Sequence, residues 1–168
     1  TASFLYSGLL LRASRTGTGG SLNGYLANII TFAGGSASVS LNRIVNDSEA
    51  AGINGIMYPS VSLPSLLANE HWKMRFSANG PTLGVQVWKV RVLTGVVNET
   101  LVATMTRTDY AYTSGVAGIY SSQSSTNYSL FDDVTITKGS GGYASTGTIT
   151  TQALLPPSRL RWGTLAFN

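Results

Sequence analysis

Hydrophobic and polar residues alternate in short segments along most of the chain, and Gly, Asn, Ser and Pro separate one segment from the next. Successive side chains of a strand point to opposite faces of a sheet, so this alternation predicts half-buried β-strands. No segment keeps the 3.6-residue repeat of an amphipathic helix. Strands are predicted at residues 7–14, 25–32, 38–45, 71–78, 82–92, 99–107, 115–121, 128–137, 146–151 and 160–167, with loops and one or two short strands over 46–67.

The clearest unit is a hairpin over residues 71–92. Its first strand alternates Trp72, Met74 and Phe76 with polar residues, which predicts that these three side chains enter the core. Asn79-Gly80 gives the strongest two-residue hairpin signal, and the return strand begins after it. Strand signals about 8–14 residues apart, with turn residues between them, predict an all-β protein built as an antiparallel two-sheet sandwich.

The first strand, over residues 7–14, is hydrophobic on both faces. Strict alternation predicts Leu9, Leu11 and Ala13 on one face and Leu10, Arg12 and Ser14 on the other. Arg12 is therefore expected on the face opposite Leu11.

The character of the chain changes after Lys138. Residues 139–142 read GSGG, a Gly-rich linker by composition, and Pro156-Pro157 precedes the last apolar segment. We expect a domain over residues 1–138 and a C-terminal extension over 139–168, either a β arm or the start of a following module. About 30 residues cannot build a core alone, so the extension must pack on the sandwich, on another copy or on a further module.

Composition supports strands over helices. Charged residues make up 11% of the chain, against a usual share of about 25%, and Gly, Ser, Thr and Asn take their place. A protein of long helices would need more Glu, Lys and Arg on its wet faces. Disorder is also disfavoured, because aliphatic and aromatic residues recur throughout. This composition is typical of an extracellular or virion domain.

Charge, cysteine content and hydropathy exclude several classes of function. The net charge is +4, but the basic residues are scattered rather than clustered in one stripe, which disfavours nucleic-acid binding. The chain has no cysteine, so disulfides, thiolate nucleophiles and Cys-ligated zinc are excluded. The apolar runs fall far short of the ~20 residues that cross a bilayer. The chain begins with Thr1 without a signal peptide, so we expect a processed or trimmed product.

An ordered set of segments resembles the concanavalin A-like lectin/glucanase superfamily, and laminin-G-like jelly-roll domains of bacterial secreted and phage structural proteins in particular. The set covers roughly residues 5–138 and consists of SGLLLRAS, GYLANI, SVSLNRIV, HWKMRFSANGPTLGVQVW, SGVAGIY and SLFDDVTITKG. The resemblance implies a jelly roll of two curved antiparallel sheets with a concave face that contacts glycans. It also implies that the strand containing FDDV returns beside the first strand.

Glucan-cleaving enzymes of that superfamily carry a strand with carboxylates two or three residues apart, which places a nucleophile and an acid about 5–5.5 Å from each other. None of the seven carboxylates here forms that motif; they are Asp47, Glu49, Glu70, Glu99, Asp109, Asp132 and Asp133. The only histidine, His71, has no G-x-S-x-G motif or second histidine to act with. We therefore expect a protein that is not an enzyme, with His71 as a surface or strand-edge residue and no catalytic residue.

Trp88 is the first candidate for carbohydrate contact. It could stack on a sugar ring while Gln86 and Arg12 bond its hydroxyl groups; the alternative is a core tryptophan between the sheets. Tyr110 and Tyr112 lie in the segment TDYAYTSG as candidate loop aromatics. Tyrosine is also common in ordinary β-sheets.

Asp132 and Asp133 are the candidate metal ligands. Asp132 shares a predicted face with Val134 and Ile136, so we expect it to be buried, and a buried carboxylate needs a partner. The related jelly rolls often hold a structural Ca²⁺ on this strand, and backbone carbonyls and Asn can complete such a site. The alternative is that both aspartates accept hydrogen bonds from backbone N–H groups or arginine. No cofactor is required on either interpretation.

These features predict a non-enzymatic jelly-roll module of a virion, such as a phage tail or capsid, or of an extracellular or cell-surface assembly. It would serve attachment or structural decoration, through surface carbohydrate. The predicted partners are other subunits of the assembly, contacted through residues 143–168 by β-augmentation, and a surface glycan, but neither nucleic acid nor a membrane span. A purely structural coat or fibre subunit without a ligand, and a glycan-processing enzyme, are the alternatives.

Overall fold

The computed structural model describes residues 4–15, 20–32, 34–49, 60–123, 131–138 and 147–152. Every regular element among them is a strand, as the alternating pattern predicts. The eleven strands are β1 (Phe4–Arg15), β2 (Leu22–Phe32), β3 (Ala37–Val45), β4 (Ser48–Glu49), β5 (Val61–Leu63), β6 (Glu70–Asn79), β7 (Thr82–Leu93), β8 (Val96–Thr108), β9 (Val116–Gln123), β10 (Asp132–Lys138) and β11 (Gly147–Gln152). No helix that could span a membrane occurs in these ranges.

The strands form two antiparallel sheets. The first has six strands in the order β4-β3-β2-β1-β9, with β5 also paired to β3. The second has five strands in the order β10-β11-β6-β7-β8. The predicted all-β, antiparallel and sandwich-like architecture is confirmed.

The main core lies between the two sheets and receives side chains from both. Leu9 and Leu41 of the first sheet belong to one buried cluster with Met74, Phe76 and Val85 of the second. Trp72 is 7% exposed and belongs to the same cluster, so the core positions predicted for β6 are confirmed. Burying one such side chain stabilises the fold by about 1.5–3 kcal/mol. This gain favours the orientation in which each strand places these side chains in the core.

A β-bulge interrupts the first strand at Arg12. Leu11 pairs with Tyr25 and Ser14 pairs with Asn23, so Arg12 and Ala13 together oppose the single residue Gly24. The extra residue exchanges the two faces of the strand beyond it. Ala13 therefore packs with Leu10 on the outer face of the first sheet, while Arg12 is 4% exposed and bonds to the β6–β7 turn. The face assignments predicted for Arg12 and Ala13 are wrong for this reason.

The β6–β7 hairpin has the predicted two strands, with the turn one residue later than predicted. Asn79 pairs with Thr82, so Gly80 and Pro81 form the two-residue loop. Gly80 has φ +52°, a conformation that glycine adopts without a steric cost. The N–H of Asp109 donates to the carbonyl of Pro81 over 2.9 Å, so the segment after β8 lies against this turn.

The FDDV segment lies in the second sheet rather than beside the first strand. β1 pairs with β2 and β9, whereas β10 lies at the edge of the other sheet. The implied return of FDDV to the first strand is therefore wrong. Of the C-terminal extension, residues 147–152 form β11 between β10 and β6; the predicted linker at 139–142 and the predicted strand at 160–167 lie outside the described residues.

Candidate functional site

Three of the five predicted carbohydrate-contact residues meet at one end of the sandwich. Arg12 lies in the bulge of β1, and Tyr110 and Tyr112 lie in the segment that joins β8 to β9. That segment and the β6–β7 turn enclose an open cavity of about 270 Å³. Its lining residues are Arg12, Gly80, Pro81, Asp109, Tyr110, Thr113 and Ser114.

Arg12 crosses from the first sheet to the second. Its Nη1 donates to the carbonyl of Tyr112 over 3.0 Å and its Nη2 to the carbonyl of Gly80 over 2.5 Å. Its Nε is buried and has no hydrogen-bond partner among the described residues. Burial lowers the pKa of Arg12 from its ordinary value, since desolvation disfavours the charged form, yet arginine remains protonated in proteins. The cavity wall therefore contains a buried guanidinium cation whose N–H groups donate hydrogen bonds to neutral carbonyls.

Two glycines allow the bulge to pack this closely. A Cβ on Gly115 would lie 2.4 Å from the carbonyl carbon of Arg12, and a Cβ on Gly24 would lie 2.8 Å from the Cα of Ala13. Both have φ in the region that favours glycine, +145° and +153°. The strand β2 and the segment before β9 can thus contact the backbone of the bulge directly.

Asp109 is the centre of a hydrogen-bond network behind the cavity. Its Oδ1 accepts from the hydroxyl of Tyr25 over 2.6 Å and from the N–H of Ala111 over 2.8 Å. Its Oδ2 lies 3.2 Å from Nη1 of Arg43, an ion pair between the 109–115 segment and β3. Burial and the bond to Asp109 raise the pKa of Tyr25 to about 12, so its hydroxyl remains a donor at neutral pH.

The two loop tyrosines differ in their roles. Tyr112 stacks edge-on against Tyr25, with ring centroids 5.3 Å apart, and its hydroxyl donates to the carbonyl of Ile44 over 2.8 Å. It therefore anchors the segment to the first sheet. Tyr110 is 75% exposed at the cavity and presents its ring to solvent. Of the two, Tyr110 has the position that a ligand could contact.

Trp88 and Gln86 lie elsewhere, on the outer face of the second sheet. Both are half-buried and alternate with Val85 and Val87 of the core. The ammonium group of Lys73 lies 5.7 Å from the centroid of the Trp88 ring and forms an ion pair of 2.8 Å with Glu99. Trp88 is thus neither in the main core nor beside Arg12, and the structure separates the predicted set into two groups.

Asp132 and Asp133 do not form the expected buried site. Both are exposed, and the register between β10 and β11 shifts between Asp132 and Thr135. Asp133 has φ +50°, and its N–H donates to Oδ1 of Asp132 over 3.0 Å. The predicted burial of Asp132 is therefore wrong, because the irregular register breaks the alternation on which it rested. No group of three or more His, Asp or Glu side chains in the described part of the chain could hold a metal ion. A calcium site that Asp132 and Asp133 share with backbone carbonyls or Asn stays a prediction.

His71 is 5% exposed, so the expectation of a surface residue is wrong. It pairs with Val90, which is 1% exposed. Burial lowers the pKa of His71 below its ordinary value, and the charges of Glu99 and Asp132 oppose this shift. We therefore place a neutral imidazole here at neutral pH.

Sequence reasoning missed the polar partners of the cavity. Asp109 precedes Tyr110 in the segment whose tyrosines are candidate carbohydrate contacts, and Thr113 and Ser114 follow in the same segment. The only available signal was a run of polar and aromatic residues between two strands, where loops often bind ligands. Nothing in the sequence connects this run with Arg12 or Gly80, about 100 and 30 residues away.

We compared the chain with protein-family models, with curated proteins and with solved structures, and no family model, protein or structure matches it.

Proposed function

We propose that this protein is a non-enzymatic β-sandwich module that contacts carbohydrate through the cavity at the β6–β7 end. The observation that carries the proposal is the lining of the cavity. An exposed aromatic ring, Tyr110, lies beside the polar groups of Arg12, Asp109, Thr113 and Ser114. An aromatic ring can cover the apolar face of a sugar, and a few placed polar groups can bond its hydroxyl groups.

The size of the cavity limits how many sugar units it can bind. Small-molecule pockets have volumes of about 300–1,000 Å³, and this open cavity measures about 270 Å³. It therefore suits one or two sugar units of a longer chain that continues into solvent. That is the expected geometry for attachment to a surface glycan.

The contacts of two described carboxylates support a binding role over hydrolysis. Asp109 accepts hydrogen bonds from Tyr25 and Ala111 and pairs with Arg43. Glu70 accepts the N–H of Leu67, which lowers its pKa, and pairs with Lys89. A retaining or inverting glycosidase needs two carboxyl groups that face one bond, and among the described residues that line the cavity Asp109 is the only one with a carboxyl group.

We further propose that the sandwich is a jelly roll of the concanavalin A-like kind and belongs to a virion or to an extracellular assembly. Three connections cross between the sheets, from β5 to β6, from β8 to β9 and from β9 to β10, which agrees with a Greek-key origin. The ordered segments that resemble the superfamily contribute β1, β2, β3, β6, β7, β9 and β10. Of the expected contact segment 143–168, residues 147–152 form β11, which is already paired on both edges. The proposed contact with other subunits is therefore through the rest of that segment.

A glycan array with three forms of the protein tests the proposal. The wild type should bind at least one class of glycan, Tyr110→Ala should lose that binding, and Trp88→Ala should keep it. The reverse result would move the site to the outer face of the second sheet, where Trp88 and Gln86 lie. An array without binding above background would overturn the carbohydrate proposal and favour a structural coat or fibre subunit.

A further inference from the structure

We propose that the cavity binds a saccharide that carries a carboxylate, and that Arg12 supplies the positive charge that recognises it. This inference rests on the proposed carbohydrate function and specifies the class of sugar. It starts from the charge of Arg12, which the fold buries without a neutralising partner among the described residues.

The ion pairs of the described residues leave Arg12 out. Among them are the pairs Arg43–Asp109, Lys73–Glu99 and Lys89–Glu70. Within the same ranges Arg12 bonds to the carbonyls of Tyr112 and Gly80, whereas a guanidinium group has five N–H donors. Its Nε is buried without a partner there. A buried charge of this kind is costly unless an opposite charge accompanies it.

The other charged groups of the cavity do not change the sign. Among the described lining residues Asp109 is the only carboxylate, and Arg43 forms an ion pair with it. Arg12, Arg43 and Asp109 together leave one net positive charge among these three groups. The whole chain also has a net charge of +4, which favours the approach of an anion.

A carboxylate is the anion that best matches these features. Arginine binds carboxylates through charge-assisted hydrogen bonds that are about twice as strong as neutral ones. Tyr110, Thr113 and Ser114 lie around the same cavity and can contact the ring and the hydroxyl groups of the sugar. A uronic acid unit combines both parts, a polar ring and one carboxylate.

The decisive experiment compares oligogalacturonate with its methyl ester, which has the same rings without the charge. Titration calorimetry with the full chain should show that the acid binds more tightly by a factor on the order of 10 to 100, the range expected for a hydrogen bond to a charged group. Affinity for the acid should fall as salt is added.

Ser114→Asp places a negative charge at the cavity on an exposed residue, and it should weaken binding of the acid by about tenfold or more. Ser65→Asp is the matched control, because Ser65 is exposed in the connection before β6, at the opposite end of that strand from Gly80. Arg12→Met should abolish the preference for the acid; if circular dichroism shows that this variant does not fold, Ser114→Asp decides the matter.

Each outcome has one meaning. Equal binding of the acid and the ester would overturn the role of the carboxylate and leave the carbohydrate function standing. Equal weakening by Ser114→Asp and Ser65→Asp would overturn the cavity as the acid site. Failure to bind the acid, the ester and every glycan of an array would overturn both proposals.

Discussion

The hydroxyl group of Tyr25 connects the core to the candidate site. The side chain is fully buried, and its oxygen donates to Asp109 and accepts the N–H of Tyr112 over 3.0 Å. One phenol group therefore satisfies two polar groups of the segment that encloses the cavity. An unpaired buried polar group costs about 1–3 kcal/mol, so this residue should matter for the position of that segment as well as for packing.

Tyr25→Phe should lower the free energy of unfolding by about 1–3 kcal/mol, because the N–H of Tyr112 loses its partner. Urea unfolding at neutral pH measures this. Tyr110→Phe, at an exposed position, should change stability by less than about 0.5 kcal/mol. Equal stability of the wild type and the Tyr25 variant would contradict the network.

The same residue gives a pH dependence with a definite sign. The pKa of Tyr25 is raised to about 12 from an ordinary value of 10.0, so the folded state keeps this proton longer than the unfolded state. Its contribution to stability is complete below pH 10 and declines as the pH rises through 10 to 12. The difference in unfolding free energy between the wild type and Tyr25→Phe should therefore shrink over that range.

At the scale of elements, the bulge in β1 determines that the side chain of Arg12 points to the β6–β7 turn of the other sheet. Gly24 contacts it from β2 and Gly115 contacts it from the segment before β9, both at distances that exclude a Cβ. Sequence alternation correctly predicts the inward faces of β6 and β7, which are regular over their core residues. It fails at Arg12 and at Asp132, because a register shift occurs at each of these residues.

Gly115→Ala should destabilise the protein by about 1–3 kcal/mol, the usual cost of forced overpacking, and should weaken glycan binding. The added Cβ would lie 2.4–2.7 Å from backbone atoms of Arg12 and Ala13, so the 109–115 segment must move. Gly118→Ala is the control in the neighbouring strand β9, where nothing lies within 4 Å of the added atom. Thermal unfolding and the glycan assay measure both effects, and equal behaviour of the two variants would contradict the close contact.

At the scale of the whole molecule, β11 joins the C-terminal extension to the sandwich. It pairs with β6 from Ile149 opposite Phe76 to Gln152 opposite Lys73, and with β10 on its other edge. The sequence predicts that the extension packs on the sandwich, on another copy or on a further module, and residues 147–152 pack on the sandwich. Within the described residues, β10 is connected to the second sheet through β11 alone.

A domain typically has a free energy of unfolding of ~5–15 kcal/mol. A chain that ends at Lys138 should lose a large share of it, because the pairing of β11 with both β10 and β6 is lost. A chain that ends at Gln152 is the matched control, since it keeps the strand and lacks residues 153–168 alone. Urea unfolding of the two shortened chains gives the comparison. If both unfold at the same urea concentration, β11 does not stabilise the sheet.

The sequence by itself determined the strands, the antiparallel sandwich-like architecture and the core faces of the β6–β7 hairpin, since alternation and turn residues act between near neighbours in the chain. It could not determine where a bulge falls, because a bulge depends on how two strands pair and on glycines as distant as Gly24 and Gly115. The tertiary structure alone brought Arg12 to the Gly80 turn and to Tyr110, and it separated them from Trp88. The candidate site is therefore a product of pairing between distant strands, and the sequence supplied its residues without their arrangement.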